Sequence, residues 1–243
     1  MPTQWVLEMM TDYQSNDLIQ CLASLYPRQI EAAIAKYFVG TAGTYHGVKG
    51  CVFPYLDERM RFCYGKIIVF NPDGHRDKDK PASSVKHERG LKDFNRKQTY
   101  FGEHLLPKYP GKPLGIVESE KTALIASMTP GLPECIWLAT GSKSTLKIEH
   151  LKRIGIGRKT VLFPDAGAFD HWEAVAAGAR RSGLDVNTSQ MMETSTSSDI
   201  PNGGDIAVLL VKDRMEEISK DNWTALRFEA FRQQAAFSLG CVG

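Results

Sequence analysis

The chain has 243 residues, 42% of them hydrophobic and 24% charged, with 30 basic against 28 acidic side chains and a formal net charge of +2. These values exclude disordered, collagen-like and coiled-coil chains, and the near-neutral balance by itself demands no polyanionic partner. The length suffices for one large domain or two small ones; no apolar run approaches the roughly 18 residues of a membrane span, and Met1 to Met10 holds Glu8 without a basic n-region, so neither a membrane partner nor a secretory signal is expected.

Five cysteines, Cys21, Cys51, Cys63, Cys135 and Cys241, are widely spaced. None forms a C-x-x-C pair, which argues against a zinc ribbon. An odd number of scattered thiols fits a reducing, cytoplasmic setting, and Cys135, inside an apolar run, reads as a packing residue.

In chain order, Asp17 to Tyr37 is predicted to be a helical pair. Leu18, Ile19, Leu22 and Leu25 recur at helical spacing, with Asn16 or Asp17 as the cap. Pro27 separates this helix from a second one carrying Ile30, Ala33, Ile34 and Tyr37, which Gly40 is expected to terminate. Val48 to Tyr55 and Arg59 to Phe70 read as strands around an Asp57-Glu58 turn, and Asn71-Pro-Asp-Gly74 is a turn signal. His75 to Gln98 is polar and reads as mostly irregular. Residues 1–107 are therefore expected to form a small α+β domain.

Charge is uneven along the chain. Arg59 to Lys112 holds 13 Lys/Arg against 6 Asp/Glu, interleaved with Phe62, Tyr64, Phe70, Phe94, Tyr100 and Phe101. Cations that meet phosphates beside rings that stack on bases suit a nucleic-acid surface, with Lys86, Arg89, Lys92, Arg96 and Lys97 as the candidate contacts. The competing reading is a solvated loop.

After Pro107 the pattern changes to short apolar runs alternating with helical periods. Leu114 to Val117, Ile136 to Ala139, Thr160 to Phe163 and Val186 to Met191 read as strands. Ser119 is a cap for a helix presenting Ala123, Leu124 and Met128 on one face; further helices are expected over Leu146 to Ile154 and Ala168 to Ser182. This rhythm predicts an α/β fold with a parallel sheet and helices on both faces over residues 112–212. Helices over Asp205 to Lys220 and Trp223 to Leu239 close the chain, giving a C-terminal helical segment at 213–243.

Ligands of open parallel sheets bind beyond the carboxyl ends of the strands. The first strand here ends in Glu118 and the third in Asp165, so two acids far apart in sequence are expected on one rim, where hard cations such as Mg²⁺ or Mn²⁺ find oxygen ligands. Asp170, Asp199 and Asp205 are further candidates, each with a capping or turn role as the alternative. Lys121 on the following helix and Lys143 in Thr140-Gly-Ser-Lys143 are placed where a cation could approach a phosphate or stay solvated.

These residues resemble a known family. Leu114-Gly-Ile-Val-Glu118-Ser-Glu-Lys-Thr-Ala-Leu124 is similar to the first motif of Toprim domains, Ile136-Trp-Leu-Ala-Thr-Gly141 to their middle strand and glycine turn, and Val161-Leu-Phe-Pro-Asp165 to the strand bearing their Asp-x-Asp motif. Ser198-Asp199 and Gly204-Asp-Ile-Ala-Val-Leu-Leu210 resemble the acidic segment that follows in primase-type members. In particular the chain resembles primase-like Toprim proteins of bacterial mobile elements, over about Lys112 to Lys212. It departs from the pattern at Ser119, where Gly is usual, at Thr122, where many members carry Asp, and at Gly167, the place of the second Asp.

The resemblance implies a Toprim-like sheet preceded by a small α+β domain, with Mg²⁺ (or Mn²⁺) held by Glu118, Asp165, Asp170 and Asp205. Glu118 would be the general acid/base and Lys121 an accessory catalytic cation. The activity implied is metal-dependent phosphoryl or nucleotidyl transfer, primase-like, in DNA replication of a mobile element. The implied partners are single-stranded DNA, nucleotides and a replication helicase, with the basic stretch and Lys143 guiding nucleic acid. A Toprim nuclease, or a non-catalytic nucleic-acid-binding accessory protein with a degenerate site, stay open beside it.

Overall fold

The computed structural model describes residues 4–44, 47–90, 97–194 and 204–219. Residues 1–105 and 106–243 form two compact units.

The first unit opens with α1 (Gln4–Met9), a 3-10 turn at Tyr13–Ser15, α2 (Asp17–Leu25) and α3 (Ile30–Tyr37). Strands β1 (Gly40–Gly43), β2 (Lys49–Leu56), β3 (Phe62–Ile68) and β4 (Ser83–Ser84) pair antiparallel in that order, followed by α4 (Val85–Glu88). Asn16 is the cap of α2: its side-chain oxygen accepts the Ile19 N–H at 3.3 Å, and its amide donates to the Gly40 carbonyl at 3.2 Å and to the Thr41 hydroxyl at 3.0 Å. One buried polar side chain thus satisfies a helix end and fixes it to a strand. The apolar faces read from the sequence, Leu18 to Leu25 and Ile30 to Tyr37, are buried.

The end of α3 differs from expectation. Phe38, at φ 56°, is the left-handed residue that closes the helix. Gly40 instead begins β1, where the chain passes so close to Met9 that a Cβ would lie 2.4 Å from the Met9 carbonyl oxygen. Close approach, not helix termination, requires that glycine. The segment expected to be irregular holds β4 and α4, with Ser84 capping α4 through the His87 N–H at 3.2 Å.

The second unit runs β5 (Leu114–Val117), α5 (Glu120–Met128), β6 (Ile136–Ala139), a 3-10 turn at Lys143–Thr145, α6 (Ile148–Gly155) and β7 (Thr160–Leu162). It continues through α7 (Phe169–Arg181), β8 (Val186–Thr188), α8 (Met191–Thr194) and α9 (Ile206–Ser219). All four strands are parallel, in the order β6-β5-β7-β8. With the right-handed crossovers that parallel strands take as a rule, this order puts α5 on one face and α6 and α7 on the other, and α6 and α7 do pack together. The α/β class with a parallel sheet between helices is therefore the fold of this part of the chain.

Two local expectations change. The strand β8 stops at Thr188, and the Ser189 hydroxyl accepts the Met191 N–H at 3.3 Å to start α8. And α5 does not bury one face: Thr122, Ala123, Leu124, Ile125, Ala126 and Met128 are all buried, because α9 covers the side turned away from the sheet. Ser119 stands at its N-cap position without a side-chain capping bond. Helix α9 passes through residues 212 and 213 without a break, and the expected helix at Trp223 to Leu239 lies outside the described residues. Among the described residues no helix is long and apolar enough to cross a membrane.

Candidate functional site

The strand order locates the site. From β5 the chain crosses over α5 to β6 on one side; from β7 it crosses over α7 to β8 on the other. Adjacent β5 and β7 therefore send their connections in opposite directions, which opens a crevice at their carboxyl ends. Ile116 is in register with Leu162. Glu118 follows two residues after Ile116 and Asp165 three after Leu162, so the two acids flank this crevice on neighbouring strands.

Backbone bonds hold the rim. The Gly141 N–H donates to the Glu118 carbonyl at 2.8 Å, the Ala168 N–H to the Asp165 carbonyl at 2.9 Å, and the Ala166 N–H to the Gly204 carbonyl at 2.9 Å. The last bond brings the start of α9, and with it Asp205, to the same turn. One Asp205 oxygen accepts the Ala207 N–H at 3.1 Å and caps α9; the other accepts the hydroxyl of buried Thr122 on α5.

Burial pushes the Asp165 carboxyl up to about 8, the negative charges of Asp205 and Glu118 push in the same direction, and the Lys143 ammonium opposes them. A buried carboxyl with two other acids near it is disfavoured in its charged form. Asp170 is on the exposed first turn of α7. Lys121 is half-buried on α5. Asp199 lies outside the described residues.

Position 167 has its own solution. Gly167 sits at φ 76° with open space where a Cβ would be. Its carbonyl accepts Lys143 Nζ at 3.1 Å and its N–H donates to Glu193 Oε1 at 3.1 Å. Glu193 and the Thr122 tie were not singled out from the sequence as site residues. Their contacts span 26 and 83 positions, so no local spacing announces them.

Among the described residues no three His, Cys, Asp or Glu side chains draw together tightly enough to enclose an ion. The donor set still fits Mg²⁺, which keeps several of its waters and takes only one or two carboxylates directly.

The first unit revises the reading of the basic stretch. Phe70, Tyr100 and Phe101 are buried; Phe101 stacks on Tyr37 at 5.1 Å between centroids and meets the edge of Phe53 at 5.6 Å. These rings are core, so they are not available to stack on bases. Phe62 packs against Trp5 at 4.0 Å. Several cations are matched by acids: Arg61 holds buried Asp57 at 2.7 Å, Lys97 approaches the same carboxylate at 3.7 Å, and Arg89 lies 3.8 Å from Glu8. The Arg61 guanidinium and two backbone N–H groups hold the Asp57 carboxyl below the usual carboxylate range despite its burial. Lys86 is exposed on α4; Lys92, Arg96 and Phe94 lie outside the described residues.

The fold resembles that of primase catalytic cores. The primase fragment of the bacteriophage T7 primase-helicase protein is similar at a TM-score of 0.51 and 16% identity, over 79% of this chain and 70% of that one. The DnaG primase catalytic domain bound to ssDNA gives a TM-score of 0.53 at 12% identity, over 88% and 76% of the two chains. The E. coli primase catalytic core gives 0.52 at 15%, over 87% and 76%. At these identities the likeness is one of fold. No curated protein matches the chain. By sequence, the chain belongs to the family described as domain of unknown function DUF6371, whose model matches residues 16–166.

Proposed function

We propose that this chain is a primase-like protein that carries out metal-dependent phosphoryl or nucleotidyl transfer on nucleic acid in DNA replication. What supports the reading is the placement of Glu118 and Asp165 just after the neighbouring strands β5 and β7, with the start of α9, and so Asp205, tied to the same turn by the Ala166–Gly204 bond. Asp165 and Glu118 would hold a hydrated Mg²⁺ (or Mn²⁺), with Asp205, fixed by Thr122 and its own helix, in the outer sphere. Such an ion neutralises phosphate charge in the transition state. Glu118 Oε would take the proton of the attacking hydroxyl, directly or through a water. Lys121, one position into α5 beyond Glu120, would approach a phosphate oxygen.

Single-stranded DNA is the proposed template because one structure of similar fold was solved bound to ssDNA, and a helicase is a proposed partner because another is a primase-helicase fragment. The setting in a mobile element rests on the sequence resemblance alone. A second reading, a nucleic-acid-binding accessory protein without catalysis, is favoured by two features: position 167 is Gly, and no tight acid cage forms among the described residues.

The test is incubation of the full chain with single-stranded DNA, the four NTPs or dNTPs and Mg²⁺ or Mn²⁺. Template-dependent oligomers that disappear in Glu118→Gln, by about 100-fold or more, support the proposal. Metal-dependent cleavage without synthesis moves the assignment to the nuclease. DNA binding with neither reaction moves it to the accessory role.

A further inference from the structure

The edge of the parallel sheet opposite the acid rim is basic. Backbone bonds line up the points where its strands begin: the Pro113 carbonyl accepts the Ile136 N–H at 2.8 Å, the Lys159 carbonyl the Leu114 N–H at 2.8 Å, and the Asp185 carbonyl the Thr160 N–H at 2.9 Å. The turns that lead to β7 and β8, residues 155–159 after α6 and 182–185 after α7, line one open cavity of about 520 Å³. Lys159 and Asp165 stand at opposite ends of β7, about 15–20 Å apart along an extended chain. The cavity and the acid rim are therefore separate places.

Cations gather round the cavity. Lys159 is on its lining, Lys152 in the last turn of α6 and Arg181 in the last turn of α7. All three are exposed, and none pairs with a carboxylate among the described residues. Arg158, also on the lining, is spent on the carbonyls of Leu106, Tyr109 and Lys112. Asp185 is the one acid on the lining. A cation in a last turn meets the negative end of its helix, which accounts for Lys152 and Arg181. It does not account for Lys159, which follows a turn. Nor does it account for Ile156, at the tip of the same turn, which is 73% exposed and the most exposed large apolar side chain among the described residues.

Ammonium and guanidinium groups beside a bare apolar tip suit a polymer that alternates phosphates with flat apolar faces, as a nucleic-acid strand does. Four strands spaced about 4.8 Å apart give an edge roughly 15 Å wide, with the cavity opening inside it. A base can enter such a concavity only from an unpaired strand, because in a duplex it is stacked and paired. We propose that this edge is a contact surface for single-stranded nucleic acid, distinct from the acid rim: Lys152, Lys159 and Arg181 meet backbone phosphates, and an unpaired base enters the cavity against Ile156. The inference rests on the nucleic-acid reading above and not on the acid site. The contact sets affinity for the strand and takes no part in chemistry at the rim.

Fluorescence anisotropy of the full chain with a labelled oligothymidylate, in the absence of divalent metal, tests it. The triple variant Lys152→Gln, Lys159→Gln, Arg181→Gln is expected to bind roughly 100-fold more weakly at about 0.1 M salt, and its log–log salt slope to fall by about 2, the scale of three phosphate contacts on a single strand. Ile156→Ala is expected to lower affinity about tenfold, the scale of covering one apolar side chain, with the slope unchanged. Arg28→Gln, an exposed cation of the first unit, is expected to change neither. A photo-crosslinking amino acid placed at position 156 of the otherwise wild-type chain is expected to capture the strand, a readout that does not depend on the folding of the triple variant. Wild-type affinity and slope in the triple variant, or no crosslink from position 156, overturns the inference and leaves the acid rim and its activity untouched. Tighter binding of duplex than of single strand, or displacement of the strand by a polyglutamate peptide at equal concentration, overturns it in favour of another occupant. No binding of the strand by the wild-type chain at any salt overturns the nucleic-acid reading and the inference together.

Discussion

Asp165 carries the clearest chemical consequence. Its carboxyl has an ordinary value of 3.8 and in the fold keeps its proton up to about 8. Between those values the folded chain binds more protons than the unfolded one, so stability falls as pH rises. The metal-free protein is thus expected to be most stable, as far as this group is concerned, below about pH 4, and to lose that contribution by about pH 8. Asp165→Asn removes the ionisable group; its melting temperature at pH 8 is expected to exceed that of wild type, with a flatter profile from pH 5 to 8. A profile parallel to wild type would contradict the assignment. Because Mn²⁺ must displace the same proton, affinity is expected to rise about tenfold per pH unit below about pH 8 in wild type. Asp170→Asn, on the exposed turn of α7, is expected to leave that affinity unchanged, whereas Asp165→Asn abolishes it; equal losses in both would return Asp170 to the site.

Elements of the second unit are joined by a few close contacts that can be tested one at a time. Gly115 in β5 lies against Trp137 in β6, where an added Cβ would sit 2.6 Å from the ring and 3.1 Å from Cys135 Sγ. Gly115→Ala is expected to destabilise by about 1–3 kcal/mol in urea unfolding, since a packed ring cannot retreat without a shift of its strand. Arg158, before β7, donates to the carbonyls of Leu106, Tyr109 and Lys112 at 2.7–2.9 Å and pins the segment that leads into β5. Burial holds its guanidinium below the usual arginine range. Arg158→Met leaves three carbonyls without that donor, and a loss of about 2–4 kcal/mol is expected; an unchanged unfolding midpoint would show that water replaces it fully.

The parallel-sheet part was legible because its signals are local. Four-residue apolar runs such as Leu114 to Val117 end in a polar residue or a glycine, and the helices between them keep their period. The rim acids followed from the rule that parallel strands share one carboxyl edge. What the sequence hid depends on tertiary contact. The left-handed Phe38 has no residue-type signal, and Gly40 reads as a helix stop until Met9 is seen beside it. Basic residues interleaved with aromatics read as a nucleic-acid surface, yet the burial of Phe70, Tyr100 and Phe101 depends on partners as distant as Tyr37. The Thr122–Asp205 tie and the Glu193–Gly167 bond leave no trace in spacing.

For the molecule as a whole, the excess of 13 basic over 6 acidic residues in Arg59 to Lys112 overstates what phosphate can meet. Lys97, Arg61 and Arg89 already face Asp57 and Glu8. Affinity for single-stranded DNA is expected to fall with salt at about 0.7 log unit per phosphate contacted, and Lys86→Ala to lower that slope by roughly one contact. Phe101→Leu is expected to lower stability by about 1–3 kcal/mol without changing the salt slope, since its ring is core. The most direct check on the proposed chemistry is anomalous diffraction from crystals of the full chain soaked in Mn²⁺. A single peak between the carboxylates of Glu118 and Asp165, lost in Asp165→Asn, is the expected result. A peak elsewhere, or none in crystals where both side chains are ordered, would contradict a metal-dependent transfer site on this rim.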